Sequence, residues 1–168
     1  MGADEWIKNV LPKEIEGYDP KDIFNADETG LVYKALQSAT YTFHGTQPSG
    51  GKLPKQRLKA LLCVNMDGSE KNLNVIGKYK KPRCFSRVQN LPLPYYYNKN
   101  SWMTSIAWRD IILKMNRKFE AQDRHVVLFV DNASSHQYDD LTPFVKVIFL
   151  PPYTNLLIQP CDKELSEH

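Results

Sequence analysis

The stretch Val126-Val127-Leu128-Phe129-Val130-Asp131-Asn132 decides the fold. Five apolar residues without a polar interruption read as a strand buried on both faces, inside a sheet covered by helices. Asp131 closes that strand, so its carboxylate is carried by a rigid element at the edge of the core. Before the run, the segment from Ser101 to Phe119 has Ile106, Trp108, Ile111, Ile112, Met115 and Phe119 mostly three or four residues apart. That spacing predicts a helix, capped by Ser101 or Thr104. After it, residues 137–143 offer a short helical or turn segment. Phe144 to Leu150 predicts a further strand, ended by Pro151-Pro152. Residues 156–168 begin apolar, become polar and look like the start of a helix.

The earlier half reads as strands. Residues 22–33 predict a first strand with an acidic insertion, and Gly- and Pro-rich residues 44–57 a loop. Leu58 to Met66 predicts a second strand, Asp67-Gly68 a hairpin turn, and Leu73 to Tyr79 the return strand. Residues 80–98 hold Pro82, Pro92, Pro94 and Tyr95-Tyr96-Tyr97 and read as an irregular connection. In residues 1–20, a lead-in to the domain, Pro12 and Pro20 limit any helix. Three strands suited to an antiparallel meander, then strands alternating with helices, imply an α/β mixed sheet flanked by helices. Ligands usually bind at strand ends in such a sheet.

At 168 residues the chain is most economically one domain, and its 42% hydrophobic and 24% charged residues are ordinary for a globular protein. No apolar stretch approaches membrane-spanning length, and the first residues lack the basic start and apolar segment of a signal peptide. Gly2 does not begin a myristoylation motif, because Trp6 stands where Ser or Thr is needed. Cys63, Cys84 and Cys161 have neither zinc-ligand spacing nor a disulfide framework, which fits a reducing compartment. Residues 52–87 contain ten Lys or Arg and two acids, whereas the rest contains twelve and seventeen. This basic block, with Lys52, Lys55, Arg57, Lys59, Lys78, Lys80, Lys81, Arg83 and Arg87, is either a footprint for phosphate or a solvated face.

Asp131 has two counterparts in similarly structured places: Asp27 within Phe24-Asn25-Ala26-Asp27-Glu28-Thr29-Gly30, and Asp162 within Gln159-Pro160-Cys161-Asp162. Three converging carboxylates suit a divalent-metal site for phosphoryl transfer, which needs hard oxygen ligands. Each acid also has a purely structural reading. Asp27 suits a turn, Asp131 a helix cap, and Asp162 the first turn of a helix.

The chain resembles the DDE endonuclease domain of pogo and Tigger transposases, a branch of the mariner superfamily. The matching residues are Asp22-Ile23-Phe24-Asn25-Ala26-Asp27-Glu28-Thr29-Gly30, Leu61-Leu62-Cys63-Val64-Asn65-Met66-Asp67-Gly68, Pro82-Arg83-Cys84-Phe85, Trp102-Met103-Thr104, Leu128-Phe129-Val130-Asp131-Asn132, Phe149-Leu150-Pro151-Pro152 and Gln159-Pro160-Cys161-Asp162. Thirty residues separate Asp131 from Asp162, as between the second and third catalytic acids of the pogo branch. The resemblance implies an RNase H-like fold, a mixed five-stranded sheet over residues 21–168 with its C-terminal helices truncated. It implies that Asp27, Asp131 and Asp162 are catalytic and bind two Mg²⁺ or Mn²⁺ ions, and that the domain cuts and joins DNA in the nucleus. His136 matches the His of the family's Asp-Asn-x-x-x-His pattern and is expected to support the acids structurally.

The family usually carries helix-turn-helix modules before this region and further helices after the third acid. From this chain the expectation is therefore DNA binding with little sequence preference, and strand cleavage that is weak or undetectable because Asp162 sits on a short helical stub. The competing expectation is a domesticated, catalytically silent fragment that binds DNA or protein. If Asp27 and Asp131 converge without metal, each is expected to raise the other's pKa.

Overall fold

The structure, a computed structural model, describes residues 2–34, 56–137 and 142–152. Three long strands form an antiparallel meander: β1 (Ile23–Lys34), β2 (Gln56–Asn65) and β3 (Lys71–Gly77). A short strand, β4 (Tyr95–Tyr97), pairs with β3 in parallel. The helix α3 (Ser105–Glu120) follows, then β5 (Val126–Val130), parallel to β1, and β6 (Val145–Phe149), parallel to β5. The sheet order is β4-β3-β2-β1-β5-β6, with β1 joining the antiparallel and parallel halves. This is the expected RNase H-like mixed sheet.

The strand count differs from the expected five. The added strand lies in the segment read as an irregular connection. Pro94 lacks an N–H, but its carbonyl accepts from Val75 N–H at 2.9 Å, and the three tyrosines that follow favour extended backbone. The Tyr95 ring fills the space that a Cβ on Gly77 would need, so a side chain there would break this pairing.

The Asp67-Gly68 turn closes β2 and β3 as expected. Gly68 sits at φ +73°, and the Asp67 carboxylate accepts from Ser69 N–H at 2.9 Å. α3 starts at Ser105, later than the first of the two expected caps. Thr104 is extended and its hydroxyl accepts from Ala107 N–H at 3.2 Å, whereas Ser101 has φ +55° and belongs to the preceding turn.

The apolar run at 126–130 is buried on both faces, as its composition demands. Val126, Leu128 and Val130 join Phe24, Ala26, Leu61, Ile76, Trp108, Ile112 and Phe119 in the core beneath α3. Val127 and Phe129 pack on the other face with Trp6 and Leu150. Trp6 arrives on α1 (Ala3–Asn9), which is followed by α2 (Leu11–Ile15). Both helices form in the lead-in segment because Pro12 falls in the first turn of α2, where its missing N–H has no partner to lose.

Arg124 ties three elements together. It meets Asp22 Oδ1 at 2.6 Å before β1 and Glu70 Oε1 at 2.6 Å on the hairpin, and Lys118 of α3 meets Glu70 Oε2 at 2.6 Å. Burial alone would raise the Glu70 carboxyl pKa, but the Lys118 and Arg124 partners outweigh it and hold it below its usual value. The network is half exposed. Arg124→Met is therefore expected to cost about 1–2 kcal/mol, between an exposed pair and a buried one, measured by urea unfolding. An unchanged midpoint would show that the network adds nothing to stability.

Candidate active site

The β1–β5 ladder runs toward the two described acids and ends two residues short of each. β1 and β5 pair Ile23 with Val127, Phe24 with Leu128 and Asn25 with Phe129, a constant offset of 104. The Asn25 amide also donates to the Phe129 carbonyl at 3.2 Å, holding the strands where the ladder ends. Carried two residues further, the same offset (131 − 27 = 104) would bring Asp27 level with Asp131, one residue past the end of β5. Asp27 also accepts the Glu28 N–H at 2.8 Å. Asp162, Lys52 and Lys55 lie outside the described residues.

A second set of groups meets Asp131. Its Oδ1 lies 2.6 Å from His136 Nδ1, and His136 Nε2 lies 3.3 Å from Glu28 Oε1. His136 Nδ1 also lies 3.4 Å from the Asp131 backbone carbonyl, so the ring is held to Asp131 at two points. Lys59 Nζ closes the chain 2.7 Å from Glu28 Oε2. The His136 ring is 1% exposed and packs on Trp108, with ring centroids 4.3 Å apart. Burial alone would lower the His136 pKa. The Asp131 and Glu28 carboxylates overcome it and push the imidazole up to about 9.

Asp131 responds in the opposite sense to the like-charge expectation. Its carboxyl pKa is lowered, first by His136 and against burial, with smaller help from Lys59. The expectation counted only acids and omitted the cation that the fold brings against Asp131. Burial would likewise raise Glu28, but His136 and Lys59 outweigh it, and its pKa is lowered.

Glu28 was missed as a site residue although β1 carries the signal. Phe24 and Ala26 face the α3 core, so strict alternation puts Glu28 on that side and Asp27 on the other. An acid in phase with a core face needs a partner, and Lys59, two residues before Leu61 on β2, shares that face.

The basic residues gather at the same end of the sheet as Asp131. β1 continues past its pairing with β5, and Arg57 pairs with Val32 in that overhang. The β2–β3 register, Lys59 with Ile76, extends to set Arg57 opposite Lys78. Arg57, Lys78, Lys80, Lys81, Arg83 and Arg87 are exposed, whereas Lys59 is partly neutralised by Glu28.

With this arrangement goes a family assignment: the chain belongs to the DDE superfamily endonuclease family, whose pattern matches residues 55–168. It is 42% identical over 147 residues to Tigger transposable element-derived protein 4 of Mus musculus, covering 87% of this chain and 29% of that protein. Major centromere autoantigen B of Mus musculus is 33% identical over 146 residues, covering 85% of this chain and 24% of that protein. The chain thus spans less than a third of the length of either relative. The Mos1 transposase paired-end complex with left transposon end aligns over 89% of this chain and 40% of that one, with TM-score 0.48 and 13% identity.

Mg²⁺ and Mn²⁺ take hard oxygen ligands, and the carboxylates of Asp27 and Asp131 are donors of that type. Among the described residues no three of His, Cys, Asp and Glu form a metal-holding group. The described donors are therefore two carboxylates of the right chemistry, one of them engaged by His136.

Proposed function

We propose that this domain binds DNA along its basic sheet end and cleaves or transfers a strand at Asp27, Asp131 and Asp162, which would hold two Mg²⁺ or Mn²⁺ ions. The observation that supports this reading is the β1–β5 register, whose offset of 104 is also the separation of Asp27 and Asp131. Such ions, once bound, activate the attacking oxygen and stabilise the leaving one. The chain's own part is to fix the acids: β5 is locked on both faces, and His136 orients Asp131 from behind. Arg57, Lys78, Lys80, Lys81, Arg83 and Arg87 would neutralise backbone phosphates. Binding would then have little sequence preference and fall steeply with salt. A DNA-bound role fits a nuclear location.

A second reading has its own support. Asp131 is already paired with His136 at 2.6 Å, so a cation must compete with an imidazolium for that carboxylate. A domain that binds DNA or protein and leaves the acids in this internal pairing would be catalytically silent.

Isothermal calorimetry with Mn²⁺ separates the two. The cleavage reading expects a binding heat in the wild type that Asp131→Asn abolishes, together with a rise in melting temperature at millimolar metal. No heat in the wild type, with salt-sensitive DNA binding retained, would establish the silent reading. Plasmid nicking in Mn²⁺ that disappears in Asp27→Ala would demonstrate cleavage directly.

A further inference from the structure

Trp102 is 66% exposed, while its neighbours Ser101 and Met103 are 8% and 7% exposed. A tryptophan is the costliest side chain to leave in water, and here the backbone on both sides is anchored so that the ring alone projects. The anchoring is specific. The Asn98 side-chain oxygen accepts from Asn100 N–H at 2.9 Å and from Trp102 N–H at 3.1 Å, and the Asn98 amide donates to the Trp102 carbonyl. Ser101 takes a left-handed φ of +55° within this turn, and Thr104 caps α3 immediately afterwards. The backbone that carries the ring is thus fixed before any ligand arrives.

The position of the ring ties it to the candidate site. Lys59 Nζ lies 5.6 Å from the ring centroid, and the same ammonium meets Glu28, which meets His136 and through it Asp131. Ile106, in the first turn of α3, is a further large apolar side chain, 81% exposed. The surface belongs to a basic stretch of the sequence. Between Glu70 and Asp110 the sequence holds eight Lys or Arg and no Asp or Glu. An exposed aromatic ring on an anchored backbone, in a basic segment and linked through Lys59 to the acids, matches the way unpaired bases are held, by stacking with phosphate neutralised alongside.

We propose that Trp102 is a stacking platform for an unpaired base next to the acids, so that the domain prefers single-stranded or frayed DNA ends to intact duplex. This rests on the DNA-binding reading above. An aromatic or aliphatic side chain of a second copy is the competing occupant, but a uniformly basic segment favours a polyanion over a copy of itself.

The test uses the 168-residue chain and three labelled DNA probes of equal charge: a single strand, the same strand with abasic sites, and a duplex. Binding is followed by fluorescence anisotropy. The wild type is expected to bind the base-bearing strand about 5- to 100-fold more tightly than the abasic one, as one stacked base would give. Trp102→Ala should erase that difference while leaving duplex affinity and its salt dependence unchanged. Trp102→Phe should retain part of it, and an unchanged melting temperature in both variants would show that the fold is intact. Equal wild-type affinity for base-bearing and abasic strands would overturn the proposal and leave DNA binding standing. No binding to any probe would overturn both readings. A concentration-dependent blue shift of tryptophan emission without DNA, lost in Trp102→Ala, would assign the ring to a second copy and overturn the stacking role.

Discussion

Trp108→Ala is expected to destabilise the domain by about 3–5 kcal/mol, the usual cost of deleting a fully buried large aromatic side chain. Trp108 is 0% exposed and stands where α3 meets the sheet, in one cluster with Ala26, Leu61 and Ile112. Its loss removes more than apolar area. The ring also supports His136, whose centroid lies 4.3 Å away, so the cavity would open beside a buried imidazole held between two carboxylates. Urea unfolding measures the loss, and the melting temperature should fall by roughly 2–4 °C per kcal/mol for a domain of this size. A loss below about 1 kcal/mol would mean that the α3–sheet packing is not what stabilises the fold.

The second large effect is a pH dependence on the alkaline side. His136 has a folded-state pKa of about 9 against an ordinary 6.5, because Asp131 and Glu28 more than offset the cost of burying it. A raised cationic pKa contributes stability that is fully present below 6.5 and is lost as pH rises toward 9. Two and a half pKa units correspond to on the order of 3 kcal/mol. In EDTA, stability measured by denaturant unfolding should decline between pH 6.5 and 9, and His136→Gln should flatten that slope at a lower overall stability. The acidic limb has separate causes. Asp131, Glu28 and Glu70 have lowered pKa values, so their contributions disappear as pH falls below the usual carboxylate range. A wild-type curve flat from pH 6.5 to 9 would refute the charged-histidine account of this cluster.

Much of the architecture was legible because secondary structure is encoded locally. The unbroken run at 126–130 could only be a doubly buried strand, and the sheet with a covering on each side follows from it. Asp67-Gly68 dictated its turn through a residue tolerant of positive φ, and the spacing of Trp108, Ile112 and Phe119 dictated α3. Asp131 at the end of β5 and Asp27 within β1 were likewise readable as acids on rigid elements.

What the sequence could not decide is which groups meet across long separations. His136 and Glu28 are 108 positions apart, and their contact depends on β1 pairing with β5 in one register while the turn after Asp131 folds back under α3. The β1–β2 register sets Lys59 beside Glu28, and the His136 contact makes the Asp131 pKa fall where acids considered alone predict a rise. β4 exists because a neighbouring strand edge offered hydrogen bonds to three tyrosines that proline had marked as loop. By itself the sequence determined the elements and the chemical types at their ends, since both follow from local periodicity and backbone preference. Only the tertiary structure decided that a buried imidazole stands between two carboxylates beside an exposed tryptophan, because side-chain pairing is set by strand register and burial, which no local pattern contains.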